Sequence, residues 1–294
     1  MNVSKQTLSY RKGIILAGGK GSRLFPLTQI ISKQLLPVYN KPMIFYCLSV
    51  LMLANIRDIL IISDPVNLQI LIKFLGKGKD LGINISYALQ KEPNGIAEAF
   101  LIGEKFINNS PVALILGDNI FFGHKFGEEL EKISSSQHSS IFLYRVPDPK
   151  RFGVAQVSSN GKVIHIEEKP KKPRSNYAIT GLYFYDEDVV YLAKQLKYSK
   201  RGELEITDLN NLYLKEKKLF AHFLTRGFSW YDTGTFDSLN DASNIVRLTE
   251  QRQGIRIGYP YEIALRKKWI SINDLHIFKN KFISDDIEYL RSII

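Results

Sequence analysis

KGIILAGGKGSRLFPLTQIISKQLLPVYNKPM, residues 12–43, is the stretch that decides the fold. Residues 13–17 form an apolar run typical of a fully buried strand, and the glycine-rich loop 18–21 follows it directly. Two cations come next, Arg23 and Lys33. Glycine lets backbone N–H groups approach phosphate oxygens closely, and nearby cations neutralise the phosphate charge. The stretch therefore predicts a strand that ends in an anion-binding loop.

The familiar phosphate motifs do not fit this loop. A Walker loop needs Ser or Thr after Gly-Lys, but Gly21 follows Lys20 here. A dinucleotide fingerprint needs a third glycine where Leu24 stands, and an acidic residue about twenty residues later, where the chain has Asn40 and Lys41. A tight turn that binds nothing remains open as the alternative.

Composition bounds the class of protein. A chain of 294 residues that is 45% hydrophobic can bury a large core. The longest apolar stretch, residues 43–54, is too short to span a bilayer and indicates a buried helix. The one cysteine, Cys47, excludes an internal disulfide and fits a reducing cytoplasm. The net charge of +11 comes without a recognised nucleic-acid module, so we expect no nucleic-acid partner and no membrane partner.

Strand-like runs alternate with helical patterns in the first half of the chain. This alternation predicts a mostly parallel sheet with helices on both faces. In the second half, residues 152–170 hold two strand runs around Asn160-Gly161, which is a strong hairpin signal. Residues 219–230 are predicted to form one further strand, and the chain from residue 236 onward is predicted to be helical.

Two aspartates come at the ends of predicted strands. Asp118 follows the strand expected at residues 111–116, and Asp232 follows another predicted strand more than a hundred residues later. Each one alone is more typical of a turn or a helix cap. Together they could share one Mg²⁺ and leave room for substrate phosphates, because Mg²⁺ prefers oxygen ligands. The five histidines show no spacing typical of a metal site.

The full signature resembles that of the sugar-1-phosphate nucleotidyltransferases. The family pattern is a glycine loop, Arg-Leu-x-Pro-x-Thr, Lys-x-Leu-x-Pro and Asn-Lys-Pro-Met, and residues 23–28, 33–37 and 40–43 match it in order. Leu-Gly-Asp-Asn and Trp-x-Asp-Thr-Gly-Thr, which supply the metal pair in the family, match residues 116–119 and 230–235. Glu-Glu-Lys-Pro, Thr-Gly-Leu-Tyr and Arg-Gly-Glu-Leu-Glu-Ile-Thr-Asp match residues 167–170, 180–183 and 201–208. The resemblance covers residues 12 to about 268.

The resemblance implies a reaction and a fold. We expect dTTP and α-D-glucose 1-phosphate to give dTDP-glucose and pyrophosphate by Mg²⁺-assisted direct in-line displacement at the α-phosphorus, as the first step of deoxysugar nucleotide synthesis. The fold would be α/β, with a Rossmann-like mostly parallel sheet, a sugar-binding β insertion and a helical C-terminal tail. Residues 12–240 would form the catalytic domain and residues 241–294 a helical extension. A cytoplasmic homotetramer with feedback by a dTDP-sugar is also expected.

The alternatives concern substrate and function. A uridylyl- or adenylyltransferase acting on a related sugar 1-phosphate is the nearer one. A binding protein that has lost catalysis on the same fold is the more distant one. Phe152 is a departure, since thymidylyl relatives often carry tyrosine there.

The same resemblance assigns roles to individual residues. The expected catalytic residues are Arg23, Lys33 and Lys169. The nucleotide-binding residues are expected to be Leu16, Gly18, Gly19, Gly21, Gln90, Pro93, Gly95 and Asp118. The sugar-phosphate site is expected to comprise Gly153, Glu168, Lys169, Tyr183, Arg201 and Trp230. The metal ligands are expected to be Asp118 and Asp232.

Overall fold

The structure is a computed structural model that describes residues 10–19, 21–136, 138–277 and 284–293. The strands are β1 (Lys12–Leu16), β2 (Pro37–Val38), β3 (Lys41–Pro42), β4 (Asp58–Ser63), β5 (Asn84–Leu89), β6 (Val112–Leu116), β7 (Asn119–Gly123), β8 (Ser139–Arg145), β9 (Gly153–Val157), β10 (Val163–Glu168), β11 (Tyr177–Tyr185), β12 (Leu219–Leu224) and β13 (Phe228–Asp232). The α-helices are α1 (Met43–Leu53), α2 (Pro65–Leu75), α3 (Glu98–Ile102), α4 (Glu104–Ile107), α5 (Phe126–Ser136), α6 (Val189–Ala193), α7 (Ile206–Lys215), α8 (Phe236–Gln253), α9 (Pro260–Arg266), α10 (Ile272–Ile277) and α11 (Ser284–Ser292).

Strand β1 lies in the middle of the main sheet. It pairs in parallel with β4 on one side and β6 on the other, and β5 extends the parallel region beyond β4. Strand β11 pairs antiparallel with β6, and β8 and β12 run parallel to each other beyond it. Strands β9 and β10 form the hairpin that the Asn160-Gly161 turn predicts. This hairpin joins the main sheet through the pairing of β9 with β11. The expected α/β architecture is confirmed.

Helices cover both faces of the sheet because successive residues of the buried strands point to opposite faces. Ile15 belongs to the core beneath α1, α2, α5 and α9, whereas Ile14 belongs to the core beneath α3, α6 and α7. Both isoleucine side chains are fully buried. Each such burial stabilises the fold by about 1.5–3 kcal/mol, so β1 anchors the loop that follows it.

The strand expected over residues 219–230 is wrong as a single element. The chain turns at residues 225–227, where Phe228 N donates to Thr225 O at 3.1 Å and Gly227 has a φ of 93°. That backbone conformation favours glycine, and it breaks the extended run. Strand β12 stays in the main sheet, while β13 pairs antiparallel with β7 in a separate two-stranded sheet.

Helix α8 connects the sheet to the C-terminal helices. Thr235 caps its start in a capping box with Ser238, and Gly254 ends it with a φ of 64°. The boundary expected after residue 240 falls inside α8, which joins the two proposed units as one continuous helix. Helix α9 packs against α1, and Leu275 and Leu290 join the same core. In the described residues, no helix is both long and apolar enough to cross a bilayer.

Candidate active site

The site lies where the loops after β1, β6 and β13 meet. Parallel strands place their carboxyl ends at one edge of a sheet, where ligands bind in open α/β folds. A cavity of about 270 Å³ opens there. Charged residues from distant parts of the chain line it, namely Arg23, Asp118, Arg151, Glu168, Lys169, Glu203, Glu205 and Asp232.

Asp118 and Asp232 come together through the small sheet. Asp232 ends β13 and is the register partner of Asn119, which begins β7. Thr233 fixes the join, because its backbone N–H and its Oγ1 donate to the backbone oxygen of Asp118 at 3.0 Å and 2.7 Å. The two predicted metal ligands are therefore held by backbone pairing.

Asn119 is a further residue of the site that the sequence did not single out. Its Nδ2 donates to Asp118 Oδ1 at 2.8 Å, and its Oδ1 accepts from Trp230 Nε1 at 2.6 Å. The backbone N–H of Gly181 also donates to Oδ1, at 3.1 Å. A Cβ at Gly181 would lie 2.6 Å from Asn119 Cγ, so this contact requires glycine. The signal was present, since Asn119 follows Asp118 in the quoted motif.

Cations balance the two carboxylates. Lys33 Nζ forms an ion pair with Asp118 Oδ2, and Arg151 Nη2 lies 3.5 Å from Asp232 Oδ2. Arg23 approaches from another side, because a Cβ at Gly234 would lie 2.5 Å from Arg23 Nη2 and 2.9 Å from Asp232 Oδ1. Gly234 thus leaves room for an arginine beside Asp232.

The environment lowers the pKa of Asp118 and raises the pKa of Asp232. Burial acts to raise the pKa of Asp118, but the Lys33 ammonium and hydrogen bonds from Lys33 and Asn119 outweigh it and hold the pKa below its ordinary value. The pKa of Asp232 is raised, first by burial and then by the charge of Asp118. The two carboxylates therefore repel each other, and a cation between them would relieve that repulsion.

The donor set fits a hard divalent cation. In the described part of the chain, no group of three or more His, Cys, Asp or Glu side chains is arranged to hold a metal. Asp118 and Asp232 offer carboxylate oxygens only. Mg²⁺ is typically bound by one or two carboxylates together with water and substrate phosphates, so a pair suffices.

The part of the cavity where the sugar phosphate is expected to bind is built around Glu168. Its Oε2 accepts from Thr207 Oγ1 at 2.5 Å, while Lys169 Nζ and Arg201 Nη1 lie 3.4 Å and 3.5 Å from its Oε1. A Cβ at Gly153 would lie 3.3 Å from Oε2, so Gly153 keeps this side narrow but open. Thr207 is a second residue that the sequence did not single out.

The expected sugar-site residues lie in this region, and aromatic rings close it. Gly153, Glu168, Lys169, Tyr183 and Trp230 line the cavity, whereas Arg201 contacts Glu168 from just outside its lining. Trp230 is 8% exposed, and its ring centroid is 5.1 Å from that of Phe152.

A second cavity of about 400 Å³ borders the glycine loop. Gly19, Lys33, Gln90 and Pro93 line it. Gln90 is 5% exposed, and its Nε2 donates to Glu98 Oε2 at 2.7 Å. Because Lys33 also pairs with Asp118, one ion pair joins the two cavities.

Four expected nucleotide-site residues line neither cavity: Leu16, Gly18, Gly21 and Gly95. Gly18 packs against the side chain of Gln90, since a Cβ there would lie 2.7 Å from Gln90 Oε1. Gly95 packs against the backbone of Leu204, whose oxygen would be 2.4 Å from a Cβ. Glycine at position 95 is therefore required by this close contact with the Leu204 backbone.

The Asn-Lys-Pro-Met motif also lies away from both cavities. Lys41 is 6% exposed, and its Nζ pairs with Glu250 of α8 at 2.6 Å. Arg256 Nη1 lies 3.6 Å from the other oxygen of Glu250. This part of the signature ties the loop to the C-terminal helices.

Comparisons with known proteins identify the family of the chain. The nucleotidyl transferase family model matches residues 12–248. A protein of Neisseria meningitidis named glucose-1-phosphate thymidylyltransferase is 53% identical over 261 residues, covering 88% of this chain and 91% of the relative. A protein of the same name from Xanthomonas campestris is 50% identical over 288 residues, covering 97% and 98%.

Solved structures are also similar to this chain. A crystal structure from Bacillus anthracis, of a candidate glucose-1-phosphate thymidylyltransferase with sucrose, matches with a TM-score of 0.76 and 42% identity over 85% of this chain and 98% of that one. A UDP-glucose pyrophosphorylase complexed with UDP-glucose matches with a TM-score of 0.73 and 26% identity over 81% and 99%. The chain belongs to the nucleotidyl transferase family.

Proposed function

We propose that the chain transfers a thymidylyl group from dTTP to glucose 1-phosphate, forming dTDP-glucose and pyrophosphate. The observation that carries the proposal is one cavity in which Asp118, Asp232 and Arg23 face the sugar-side pair Glu168 and Lys169. Such an arrangement suits the joining of a nucleotide phosphate to a sugar phosphate. The names of the relatives supply the base and the sugar.

The chemistry requires positioning and positive charge more than proton transfer. A sugar phosphate oxygen is already anionic at neutral pH, so its attack on the α-phosphorus needs no general base and no covalent intermediate. We assign Arg23 to the departing pyrophosphate and Lys33 to the α-phosphate. Lys169 and Arg201 would aim the attacking phosphate. Asp118 and Asp232 would hold Mg²⁺, whose charge would stabilise the phosphates when bound.

Glu168 would accept hydrogen bonds from sugar hydroxyls. Thr207 donates to one of its carboxylate oxygens and so fixes the direction of the other. Phe152 lacks the hydroxyl of a tyrosine, so its contribution is the ring that packs on Trp230. Sugar selectivity would then rest on Glu168 and on the aromatic wall.

Gln90 would read the pyrimidine base. An amide both donates and accepts, which matches the imide edge of thymine or uracil. Its present bond to Glu98 holds the amide in place, and Asn94 Nδ2 donates to the other oxygen of Glu98 at 3.0 Å. Adenine presents a different edge, so ATP would be rejected.

A uridylyltransferase is the second candidate, because a structural neighbour is described as a UDP-glucose pyrophosphorylase. A substrate panel separates the two. Pyrophosphate release would be measured with dTTP, UTP and ATP against several sugar 1-phosphates in the presence of Mg²⁺. The proposal expects dTTP with glucose 1-phosphate to give the highest kcat/KM. A higher kcat/KM with UTP than with dTTP would favour the uridylyltransferase. If no pair of nucleotide and sugar 1-phosphate releases pyrophosphate, the binding protein without catalysis remains as the alternative.

Three further expectations belong to this proposal. We infer a homotetramer, feedback inhibition by a dTDP-sugar and a cytoplasmic location from the family resemblance. The buried thiol of Cys47 is consistent with a reducing compartment. Light scattering on the purified chain and inhibition assays with dTDP-sugars test the first two.

A further inference from the structure

Arg151 is a cation of the cavity that none of the signature motifs contains. It precedes Phe152 just before β9, and its guanidinium lies 5.6 Å from the centroid of that ring. Its side chain is 48% exposed, so it can change position without disturbing the core. It lines the same cavity as Asp118 and Asp232.

The position of Arg151 is that of a stand-in for a metal ion. Nη2 of Arg151 lies 3.5 Å from Oδ2 of Asp232, and Lys33 Nζ pairs with Oδ2 of Asp118. Each carboxylate of the expected metal pair is thus in an ion pair with a side-chain cation, and Arg23 also lies close to Asp232. A divalent cation bound to Asp232 neutralises the carboxylate charge that attracts the guanidinium and repels it in turn, so the metal and Arg151 compete for Asp232.

Asp232 is the carboxylate that Arg151 contacts in this arrangement. Among the described residues, Asp232 is the one acidic group recorded within 4.0 Å of its guanidinium. Arg201, by contrast, contacts Glu168, Glu203 and Glu205 at 2.9–3.5 Å. Once Asp232 coordinates a metal, Arg151 is left in a cavity whose incoming ligands are phosphates. A guanidinium binds phosphate in a bidentate manner.

We propose that Arg151 is a catalytic residue that pairs with Asp232 in the free enzyme and moves to a substrate phosphate when Asp232 coordinates the metal. This inference rests on the proposed phosphoryl-transfer function. It predicts effects of opposite sign when the arginine is removed. Metal binding to the free enzyme becomes stronger, because a competitor is lost, while phosphate binding in the reacting complex becomes weaker. A residue that only supports the fold would not produce this pair of effects.

The test compares Arg151→Gln with Lys150→Gln, an exposed neighbour that does not line the cavity. Mn²⁺ binding to the enzyme without substrates would be measured by electron paramagnetic resonance of free Mn²⁺. We expect Arg151→Gln to bind Mn²⁺ roughly three- to tenfold more tightly and to lose about 10²-fold in kcat. Arg151→Lys should recover part of the kcat, and Lys150→Gln should resemble the wild type in both measurements.

The steady-state constants identify the phosphate. A higher KM for dTTP assigns Arg151 to the triphosphate, and a higher KM for glucose 1-phosphate assigns it to the nucleophile. Unchanged or weaker Mn²⁺ binding in Arg151→Gln would overturn the competition, and an unchanged kcat would overturn the catalytic role. If the wild type releases no pyrophosphate at all, the proposed function fails instead, and the Mn²⁺ comparison still shows whether Arg151 competes for Asp232.

Discussion

Asp232 lies directly opposite Asn119 in the antiparallel pairing of β13 with β7. Because Asn119 follows Asp118 in the chain, this pairing brings two carboxylates from segments more than a hundred residues apart to one side of the cavity. Hydrogen bonds from Thr233 to the Asp118 backbone then fix their relative position. The small two-stranded sheet is therefore the element that assembles the expected metal site.

Replacing either carboxylate should abolish most of the activity. We expect Asp118→Asn and Asp232→Asn each to lower kcat by several powers of ten. The loss of one ligand weakens metal binding and, with it, the stabilisation of phosphate charge by the metal. Asp241→Asn, at an exposed position of α8, is the control. Steady-state rates as a function of Mg²⁺ concentration check this. Near-normal rates in both site variants would refute the metal assignment.

The raised pKa of Asp232 makes a prediction about stability. A carboxyl whose pKa is higher in the folded state destabilises the fold when ionised, and the loss appears as pH rises above the unfolded value of 3.8. In metal-free buffer, Asp232→Asn should therefore unfold at a higher temperature than the wild type at pH 7. The difference should shrink as the pH falls toward 3.8. Melting curves between pH 3 and 8 measure it, and a variant that is less stable at pH 7 would contradict the prediction.

Arg23→Ala should slow the chemical step more than it weakens binding. The leaving pyrophosphate gains charge in the transition state, so loss of one preorganised cation should cost about 10²-fold in kcat or more. Single-turnover rates with saturating substrates separate chemistry from product release. If only the KM for glucose 1-phosphate rises, Arg23 binds the sugar phosphate, and its assignment to the departing pyrophosphate is refuted.

Lys169→Ala should impair saturation by glucose 1-phosphate rather than by dTTP. Lys169 has a φ of 42°, so Lys169→Gly is the matched variant that removes the side chain without backbone strain. Both variants should raise the KM for the sugar phosphate equally, while the glycine variant should be about 1 kcal/mol more stable. Lys171→Ala serves as an exposed control. A defect specific to dTTP would move Lys169 to the nucleotide side.

Gln90→Ala should lower kcat/KM for dTTP and for UTP by similar factors. UTP lacks one methyl group, worth about 0.8 kcal/mol, and adds one hydroxyl, so we expect dTTP to be preferred only roughly tenfold. Glu98→Ala should have a smaller effect of the same kind, since Glu98 orients the Gln90 amide. Comparison of kcat/KM for dTTP, UTP and ATP tests this, and unchanged nucleotide kinetics in Gln90→Ala would mean that another group reads the base.

Much of the fold could be predicted from local pattern. The strand before the glycine loop and the hairpin at Asn160-Gly161 are short-range signals, and both are present in the structure. The split at Gly227 was missed because an apolar run over residues 219–230 does not show which sheet each half joins. That choice depends on long-range pairing of β13 with β7.

The site was predictable where a motif carries it and not where geometry does. Asp118 and Asp232 belong to motifs, but Arg151 lies outside every quoted motif and enters the cavity through tertiary packing. Conversely, Gly95 is an expected nucleotide-binding residue and Lys41 belongs to a quoted motif, yet Gly95 packs against Leu204 and Lys41 pairs with Glu250. A motif alone does not distinguish a residue that contacts substrate from one that holds the loop.

The fate of labelled oxygen tests the central claim most directly. Glucose 1-phosphate carrying ¹⁸O in its three non-bridging phosphate oxygens would be incubated with the wild-type chain, dTTP and Mg²⁺, and the products analysed by mass spectrometry. Direct attack of the sugar phosphate on the α-phosphorus predicts that all three labels are found in dTDP-glucose and that pyrophosphate carries none. Label in pyrophosphate, or no dTDP-glucose at all, would contradict the account.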